Sequence, residues 1–240
     1  MSIEVPFTKE NLEYYLKALA KEFRKRGHGV PAEIILVGGA SVLINYSFRM
    51  ASYDIDATYA CETVMKEAIA AVRDKYGLQN DWLNDAFKRT SSYTPKLRQY
   101  SDHYKTFSNV LEVRTVRAEY LVAMKLVSAR QYKKDLSDIV GIIYEQQLAG
   151  DPLTLEKIDK AVKDLYGDWL SVKERAKNFL ERVLACDDLP GLMQELAADE
   201  LSANAVLSEI SKKYPGTINK NNVDDVIAAV MKKKGQNNNT

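Results

Sequence analysis

Residues 37–59 read VGGASVLINYSFRMASYDIDATY and decide the fold. The stretch follows a short, almost wholly apolar run at 33–37, which predicts a buried strand ending at the adjacent Gly38 and Gly39. A helix through about Asn45 should come next. Polar and apolar residues then alternate over 53–59, which predicts a second strand. This succession of strand, helix and strand indicates an α/β unit.

Gly38 and Gly39 have the properties of a phosphate-binding turn. A backbone that approaches an anion closely needs conformational freedom and no side chain, and glycine supplies both. A helix beginning directly after the turn would direct free N–H groups and its positive dipole end at a triphosphate, and Ser41 would add a hydroxyl donor. A Gly-Gly pair is more commonly a tight turn without a ligand, so the pair predicts a nucleotide site only together with its neighbours.

Asp54 and Asp56 lie two residues apart in the second predicted strand. Their side chains therefore leave the same face, and Ile55 points to the core. Two carboxylates about 6 Å apart repel by roughly 3 kcal/mol at an effective dielectric constant near 20, and Mg²⁺ turns this repulsion into attraction because it takes oxygen ligands from both. An isolated pair of this kind is usually a solvated strand edge, but a pair that follows a glycine turn predicts a metal site.

The whole stretch resembles the signature of the nucleotidyltransferase superfamily related to DNA polymerase β, in which a Gly-Gly or Gly-Ser turn precedes an Asp-hydrophobic-Asp strand. Fourteen residues separate Gly39 from Asp54. This spacing is similar to that of the abortive-infection toxin branch (AbiEii type), which also tends to place an Arg and a Ser or Thr before the acidic pair. Arg49 and Ser52 fill those places. The resemblance covers roughly residues 34–140 and is specific only over the quoted stretch.

The resemblance implies transfer of a nucleoside monophosphate from a nucleoside triphosphate to an acceptor, which is left open among RNA, protein and a small molecule. It implies two-metal chemistry with Mg²⁺ or Mn²⁺ held by Asp54, Asp56 and a third carboxylate on a neighbouring strand. Glu112 in the run NVLEV is the candidate for that carboxylate. The superfamily usually has Asp there, and Glu112 as a solvent-facing strand residue is the alternative. The nucleotide-binding residues would be Gly38, Gly39, Ser41, Arg49 and Ser52.

A second group of candidate catalytic residues follows in KLVSARQYKKDLSDI, which is similar to a downstream motif of the abortive-infection branch. There a helical Lys and a later Asp accompany the active site, and Lys125 and Asp135 match them. Lys125 is the only charge in the apolar run YLVAMKLV. It would contact a triphosphate or a buried carboxylate, or else its stem would snorkel to the surface. Asp138 is an alternative to Asp135.

Residues 88–105 form a basic stretch with five Lys or Arg against one Asp, interleaved with tyrosines. Basic residues that follow phosphates and aromatic rings that stack on bases are usual in contacts with single-stranded nucleic acid. The stretch therefore predicts an acceptor surface. A solvated connecting loop or hairpin is the commoner alternative.

The chain as a whole is expected to be α+β, with a nucleotidyltransferase-like mixed sheet flanked by helices and a C-terminal helical domain. The break at Gly150, Asp151 and Pro152 predicts a nucleotidyltransferase-like domain over 1–150, a helical domain over 151–235 and a disordered tail over 236–240. Apolar periodicity and strand-forming residues also predict further elements. These are helices at 8–26, 62–75, 119–131, 134–149, 155–185, 200–213 and 223–231, and a strand at 105–115.

Composition excludes several classes of protein. Lys and Arg total 34 against 33 for Asp and Glu, so overall charge does not steer the chain toward nucleic acid or membrane. Two cysteines and two histidines, without paired spacing, disfavour a zinc site or a disulfide framework. With no apolar run of membrane-spanning length and no signal sequence, a cytoplasmic protein without membrane contact is expected.

Three functions follow from these observations. The first is an active nucleotidyltransferase, a toxin of a two-gene toxin-antitoxin or abortive-infection module with a cognate antitoxin. The second is a catalytically inactive nucleotide-binding protein on the same fold. The third is a protein-interaction module that uses the C-terminal helices.

Overall fold

The computed structural model describes residues 6–130, 132–219, 222–223, 226–227 and 229. The chain forms two compact units, one made of Met1–Met124 with Leu153–Ser171 and the other of Lys125–Pro152 with Val172–Thr240. These units are interleaved along the sequence. They do not coincide with the domain boundary at residue 150, which stays a prediction.

The first unit is built on a mixed sheet, as the sequence predicted. Among the described residues the sheet has five strands in the order β3-β2-β1-β5-β4. Strand β1 pairs antiparallel with β2 and parallel with β5, while β2 pairs parallel with β3 and β4 pairs antiparallel with β5. The strands are β1 (Ala32–Leu36), β2 (Ile55–Tyr59), β3 (Leu83–Asn84), β4 (Ser101–Phe107) and β5 (Leu111–Val116).

The predicted single strand at 105–115 is wrong, because the chain there forms the hairpin of β4 and β5. Its turn contains Ser108 and Asn109, both with positive φ. Non-glycine residues seldom adopt this backbone region, and Asn is among those that do so most often. Asn109 was therefore a signal in the sequence for a turn at this position.

Strand pairing brings the ends of several strands together at one end of the sheet, which is called the site edge here. Leu36 near the end of β1 pairs with Ala57 of β2 and with Thr115 of β5. Ser101, the first residue of β4, pairs with Val116. The site edge is therefore where β1 and β5 end and where β2 and β4 begin.

Three helices of the first unit follow from local sequence: α1 (Lys9–Arg26), α2 (Gly38–Asn45) and α3 (Glu62–Tyr76). Thr8 caps α1, since its hydroxyl accepts from Asn11 N and its own N–H donates to Asn11 Oδ1. The apolar side of α1 is fully buried in the core with the sheet residues Ile34 and Val113. Each such buried side chain stabilises the fold by about 1.5–3 kcal/mol. The buried α1 residues are Leu12, Leu16, Leu19 and Phe23.

The segment before α1 is tied to the loop that precedes β2. Phe7 N donates to Ser52 O at 2.6 Å, and Ser52 N donates to Phe7 O at 2.9 Å. The Phe7 ring is buried and packs edge-on against Tyr15, with 5.7 Å between ring centroids. The loop carrying Ser52 is thus fixed on the core by two main-chain hydrogen bonds.

The remaining helices are α4 (Ala118–Ser128), α5 (Asp135–Leu148), α6 (Leu155–Tyr166), α7 (Glu174–Leu184) and α8 (Leu189–Lys213). The division between units falls within α4, and α6 belongs to the first unit. The predicted helix at 155–185 is two helices, because Gly167 adopts φ +88° and ends α6. The predicted start of the next helix at 200 is wrong, because Pro190 lies in the first turn of α8, where proline is tolerated.

The predicted helix at 223–231 lies largely outside the described residues, and the predicted tail at 236–240 lies wholly outside them. None of the helices that the structure describes is long and apolar enough to cross a membrane.

Candidate functional site

The glycine bend at the site edge adjoins the second acid of the pair. Gly38 has φ +54°, and a Cβ built on it would lie 3.4 Å from Asp56 Oδ2. Val37 N also donates to Asp56 O at 2.9 Å. The predicted nucleotide site requires the glycine bend and Asp56 to lie side by side, and they do.

Arg49 and Ser52 converge on the neighbouring glycine. A Cβ on Gly39 would lie 2.8 Å from both Arg49 Nη2 and Ser52 Oγ. Arg49 is also held by its Nε, which donates to Ala51 O at 3.1 Å. The two residues chosen from the sequence are thus placed directly against the backbone of the bend.

Asp54 directly precedes β2, which begins at Ile55, two residues later than the predicted start at residue 53. Both Asp54 and Asp56 are half-buried, whereas Ile55 between them is fully buried. Ile55 N donates to Trp82 O at 2.9 Å, which fixes the start of the strand. Both acids are therefore more accessible than the residue between them. Asn84 of β3 pairs directly with Asp56.

The N-cap residue of α2 supplies no side-chain cap to the first turn. Its N-cap is Val37, which makes no side-chain capping hydrogen bond, and no acidic residue lies in the first turn. Ser41 is fully buried, and its Oγ has no hydrogen-bond partner among the described residues. Uncapped N–H groups at a helix start attract anions. The bend therefore has the properties of an anion site.

Glu112 lies away from the site edge. It pairs with Glu33 in the parallel register, whereas the Asp56 carbonyl is bonded to Val37, four residues further along β1. At about 3.3 Å per residue this is an offset of about 13 Å along the strands. Arg114 Nη1 donates to Glu112 Oε1 at 2.7 Å, and this hydrogen bond lowers the pKa of Glu112. Glu112 as a third metal ligand stays a prediction, and the register does not favour it.

Comparison with known proteins adds a family assignment. Residues 14–180 match a family described as "nucleotidyltransferase of unknown function (DUF6036)". The chain belongs to this family. The match spans the bend and the acidic pair, and it supports the nucleotidyltransferase superfamily resemblance without distinguishing the abortive-infection branch. Neither the curated proteins nor the solved structures contain a match to this chain.

The family match also covers Lys125, which lies in a buried ion cluster in the second unit. Lys125 Nζ lies 2.7 Å from Asp138 Oδ2 and 3.3 Å from Asp135 Oδ1. All three residues are at most 5% exposed. The snorkelling alternative is therefore wrong, since the amine binds buried carboxylates. Both acids that the sequence left as alternatives contact it.

Arg130 completes this cluster at its partly exposed side. Its Nε donates to Asp135 Oδ2 at 2.8 Å, its Nη2 to Oδ1 at 3.2 Å and its main-chain N to Oδ2 at 3.2 Å. Burial alone would raise the pKa of Asp135, but the charges of Lys125 and Arg130 outweigh it and lower the pKa to about 2. Asp135 is thus ionised at neutral pH within the cluster. Its catalytic role in this nucleotidyltransferase family member stays a prediction.

Glu200 of α8, outside the part that matches the family, is a buried acid that sequence reasoning missed. Its Oε1 accepts from Leu136 N at 2.9 Å and from Ser137 N at 3.2 Å, and its Oε2 accepts from the Ser137 hydroxyl. It therefore caps the N-terminus of α5. Burial raises the pKa of Glu200 to about 7. Its position in the sequence did not indicate burial, because an acidic residue on a helix is usually exposed to solvent.

The basic stretch at 88–105 packs on α6 within the first unit. Tyr166 OH donates to Ser92 O at 2.8 Å, and Lys96 Nζ donates to Asp164 O at 2.6 Å. The stretch is therefore fixed, and its role as an acceptor surface stays a prediction.

Proposed function

We propose that this chain transfers a nucleoside monophosphate from a nucleoside triphosphate to a hydroxyl-bearing acceptor. The observation that carries the proposal is that the glycine bend, Asp56 and the pair of Arg49 and Ser52 lie together at the site edge. The bend at Gly38 lies against Asp56, and Arg49 and Ser52 lie against Gly39.

The triphosphate would lie on the bend, where the first-turn N–H groups of α2 and the guanidinium of Arg49 would supply donors and positive charge. Ser41 and Ser52 would supply hydroxyl donors. Only a side-chain-free position lets phosphate approach this backbone, which accounts for both glycines.

Asp54 and Asp56 fit Mg²⁺ or Mn²⁺. Mg²⁺ is usually held by one or two carboxylates together with substrate phosphates rather than by a cage of protein ligands alone. The described residues contain no group of three His, Cys, Asp or Glu placed to hold a metal. A pair of acids completed by the triphosphate is therefore the arrangement that this chain supports.

The proposed reaction is an in-line displacement at the α-phosphorus. The acceptor oxygen forms the new P–O bond, the bond to the β-phosphate oxygen breaks, pyrophosphate leaves and the hydroxyl proton passes to solvent. Two bound ions would lower the pKa of the attacking hydroxyl and neutralise the charge on the leaving pyrophosphate. The protein's part is to hold the nucleotide on the bend and the ions on the acidic pair.

A transfer assay tests this proposal. The protein is incubated with each α-labelled nucleoside triphosphate, Mg²⁺ or Mn²⁺, and total RNA or cell lysate. Label should appear in an acceptor with the parent protein and fall by about a hundred-fold or more in Asp54→Asn and Asp56→Asn, because each change removes a charge that holds the ions. Asp74→Asn, at an exposed position of α3, is the matched control and should retain transfer.

A nucleotide-binding protein without turnover is the second candidate function. It is favoured by the missing third acid beside Asp54 and Asp56 among the described residues. Nucleotide binding without transfer to any acceptor would establish it. Absence of nucleotide binding would contradict both candidates.

The toxin role belongs to the first candidate. Induced expression should then arrest growth, and the Asp56→Asn variant should not. Co-expression of a neighbouring antitoxin gene should restore growth to cells carrying the parent protein. Growth unaffected by an active enzyme would remove the toxin role and leave the transferase.

A further inference from the structure

Arg117 directly follows β5, which ends at the site edge. The last pair between β5 and β1 is Thr115 with Leu36, so Arg117 and Gly38 each come two residues after a paired residue of neighbouring parallel strands. Paired strands are about 4.8 Å apart. Both residues also stand where a strand gives way to a helix, α2 at Gly38 and α4 at Ala118.

Two tyrosines hold the Arg117 side chain. Its guanidinium carbon lies 4.8 Å from the ring centroid of Tyr120 and 5.8 Å from that of Tyr100. The two rings stack on each other with centroids 4.2 Å apart and planes 18° apart. Arg117 N also donates to Tyr100 O at 3.1 Å. The cation is therefore positioned before any ligand binds, by cation–π contacts and a main-chain hydrogen bond.

Tyr120 is fixed in turn by α6. Tyr120 OH donates to Asp164 Oδ2 at 2.7 Å, and the same carboxylate oxygen accepts from Lys160 Nζ. Asp164 is thus engaged by Tyr120 and Lys160. These hydrogen bonds and the stacking of the two tyrosine rings limit the motion of the surface on which the Arg117 guanidinium lies.

Arg117 has donor capacity that the described residues do not use. Its Nε is buried and makes no hydrogen bond to any described residue, and the carboxylate in range is Glu119 Oε1 at 3.7 Å. A buried donor without a partner is costly, and a guanidinium offers five donors in a planar fork. The side chain as a whole is 37% exposed, so a ligand can reach the guanidinium.

We propose that Arg117 binds the terminal phosphates of the nucleoside triphosphate whose other end lies on the glycine bend. This inference rests on the proposed function. The planar fork matches phosphate oxygens in a bidentate manner, and Arg117 follows the strand that neighbours the one leading into Gly38 and α2. A phosphodiester of an RNA acceptor offers the same chemistry, and the experiment separates the two sources.

Calorimetric titration of the full chain in Mg²⁺ tests the assignment. Each nucleoside triphosphate is titrated first, then the diphosphate and monophosphate of the one that binds best. Arg117→Gln should weaken triphosphate binding about ten-fold or more, as expected for the loss of a charge-assisted phosphate contact, and monophosphate binding by less than about two-fold. Arg24→Gln is the matched control. Arg24 is exposed in the last turn of α1, outside the predicted acceptor surface, so this variant should bind all three nucleotides like the parent.

Arg117→Lys keeps a positive charge but not the fork, so its triphosphate affinity should lie between those of the parent and Arg117→Gln. If Arg117→Gln fails to fold, Arg117→Lys tests the assignment by itself, because a triphosphate affinity equal to the parent's overturns the assignment. Equal weakening for triphosphate and monophosphate overturns it as well. So does loss of binding to a single-stranded RNA oligonucleotide with triphosphate binding intact, which would place Arg117 on the acceptor.

The two proposals fail in different ways. A parent protein that binds no nucleoside triphosphate overturns the proposed function together with this inference. A parent protein that binds and transfers nucleotide, with Arg117→Gln unchanged in affinity, overturns only the assignment of Arg117.

Discussion

Gly38 lies against the carboxylate of Asp56, so that a methyl group on Gly38 would stand 3.4 Å from Asp56 Oδ2. The main chain of β2 and the start of α2 meet at the same place, through the hydrogen bond from Val37 N to Asp56 O. The bend and the acid are thus parts of one rigid feature. A phosphate bound on the bend would lie beside an ion held by the acid.

Gly39→Ala should weaken nucleotide binding. The new Cβ would lie 2.8 Å from Arg49 Nη2 and Ser52 Oγ, so at least one of these side chains must move. Displacement of such a group by about 1 Å is expected to cost ten-fold or more in affinity or rate. Titration with a nucleoside triphosphate measures it. Gly77→Ala, where nothing lies within 4 Å of the added Cβ, is the control and should leave binding unchanged; equal effects of both variants would contradict the prediction.

Lys125→Met should destabilise the fold strongly. It leaves Asp135 and Asp138 buried without their shared cation, and breaking a buried pair in this way typically costs about 3–5 kcal/mol of unfolding free energy. Urea unfolding followed by circular dichroism measures the loss. Lys160→Met removes an exposed lysine from Asp164 and should cost less than about 1 kcal/mol. A Lys125→Met protein as stable as the Lys160→Met protein would show that the buried cluster does not stabilise the fold.

Glu200→Gln should remove a pH dependence of stability. The folded-state pKa of Glu200 is raised from 4.5 to about 7. The stability that it contributes is therefore full below about pH 4.5 and is lost as the pH rises through about 7. The parent protein should be less stable at pH 8 than at pH 5.5, and Glu200→Gln should reduce that difference because the amide can keep the hydrogen bonds to α5. Melting temperatures at both pH values test this against Glu195→Gln, at an exposed position of α8. An unchanged pH dependence in Glu200→Gln would contradict the raised pKa.

Glu112→Gln should leave nucleotide transfer within about two-fold of the parent, because the strand register places Glu112 about 13 Å along the sheet from Asp56. Rates at several Mg²⁺ concentrations would measure this. A loss comparable to that of Asp56→Asn would instead restore Glu112 as the third metal ligand.

Local sequence predicted much of the fold, because its signals are short-range. The cap at Thr8, the apolar run before Gly38 and the alternation from Asp54 to Tyr59 each specify an element without help from distant residues. Arg49 and Ser52 were chosen instead from the superfamily resemblance, and both lie within 15 residues of Gly38.

Other features depend on pairing between distant segments, which spacing does not reveal. Glu112 is on a strand as expected, but only the register of β5 against β1 shows how far it lies from Asp56. The sequence did not single out Arg117, because the two tyrosines that contact it come from separate segments, a 3₁₀ turn and α4. Glu200 meets Ser137 across 63 positions of chain. Long-range contacts of this kind are set by tertiary structure.

The pair of hydrogen bonds between Phe7 and Ser52 has a practical consequence for handling the protein. Removing the chain through Phe7 would release the loop that carries Arg49 and Ser52 from this anchor. A preparation shortened in this way could fold and yet bind nucleotide poorly. Inactivity in such a preparation would then reflect where the chain had been cut rather than its chemistry.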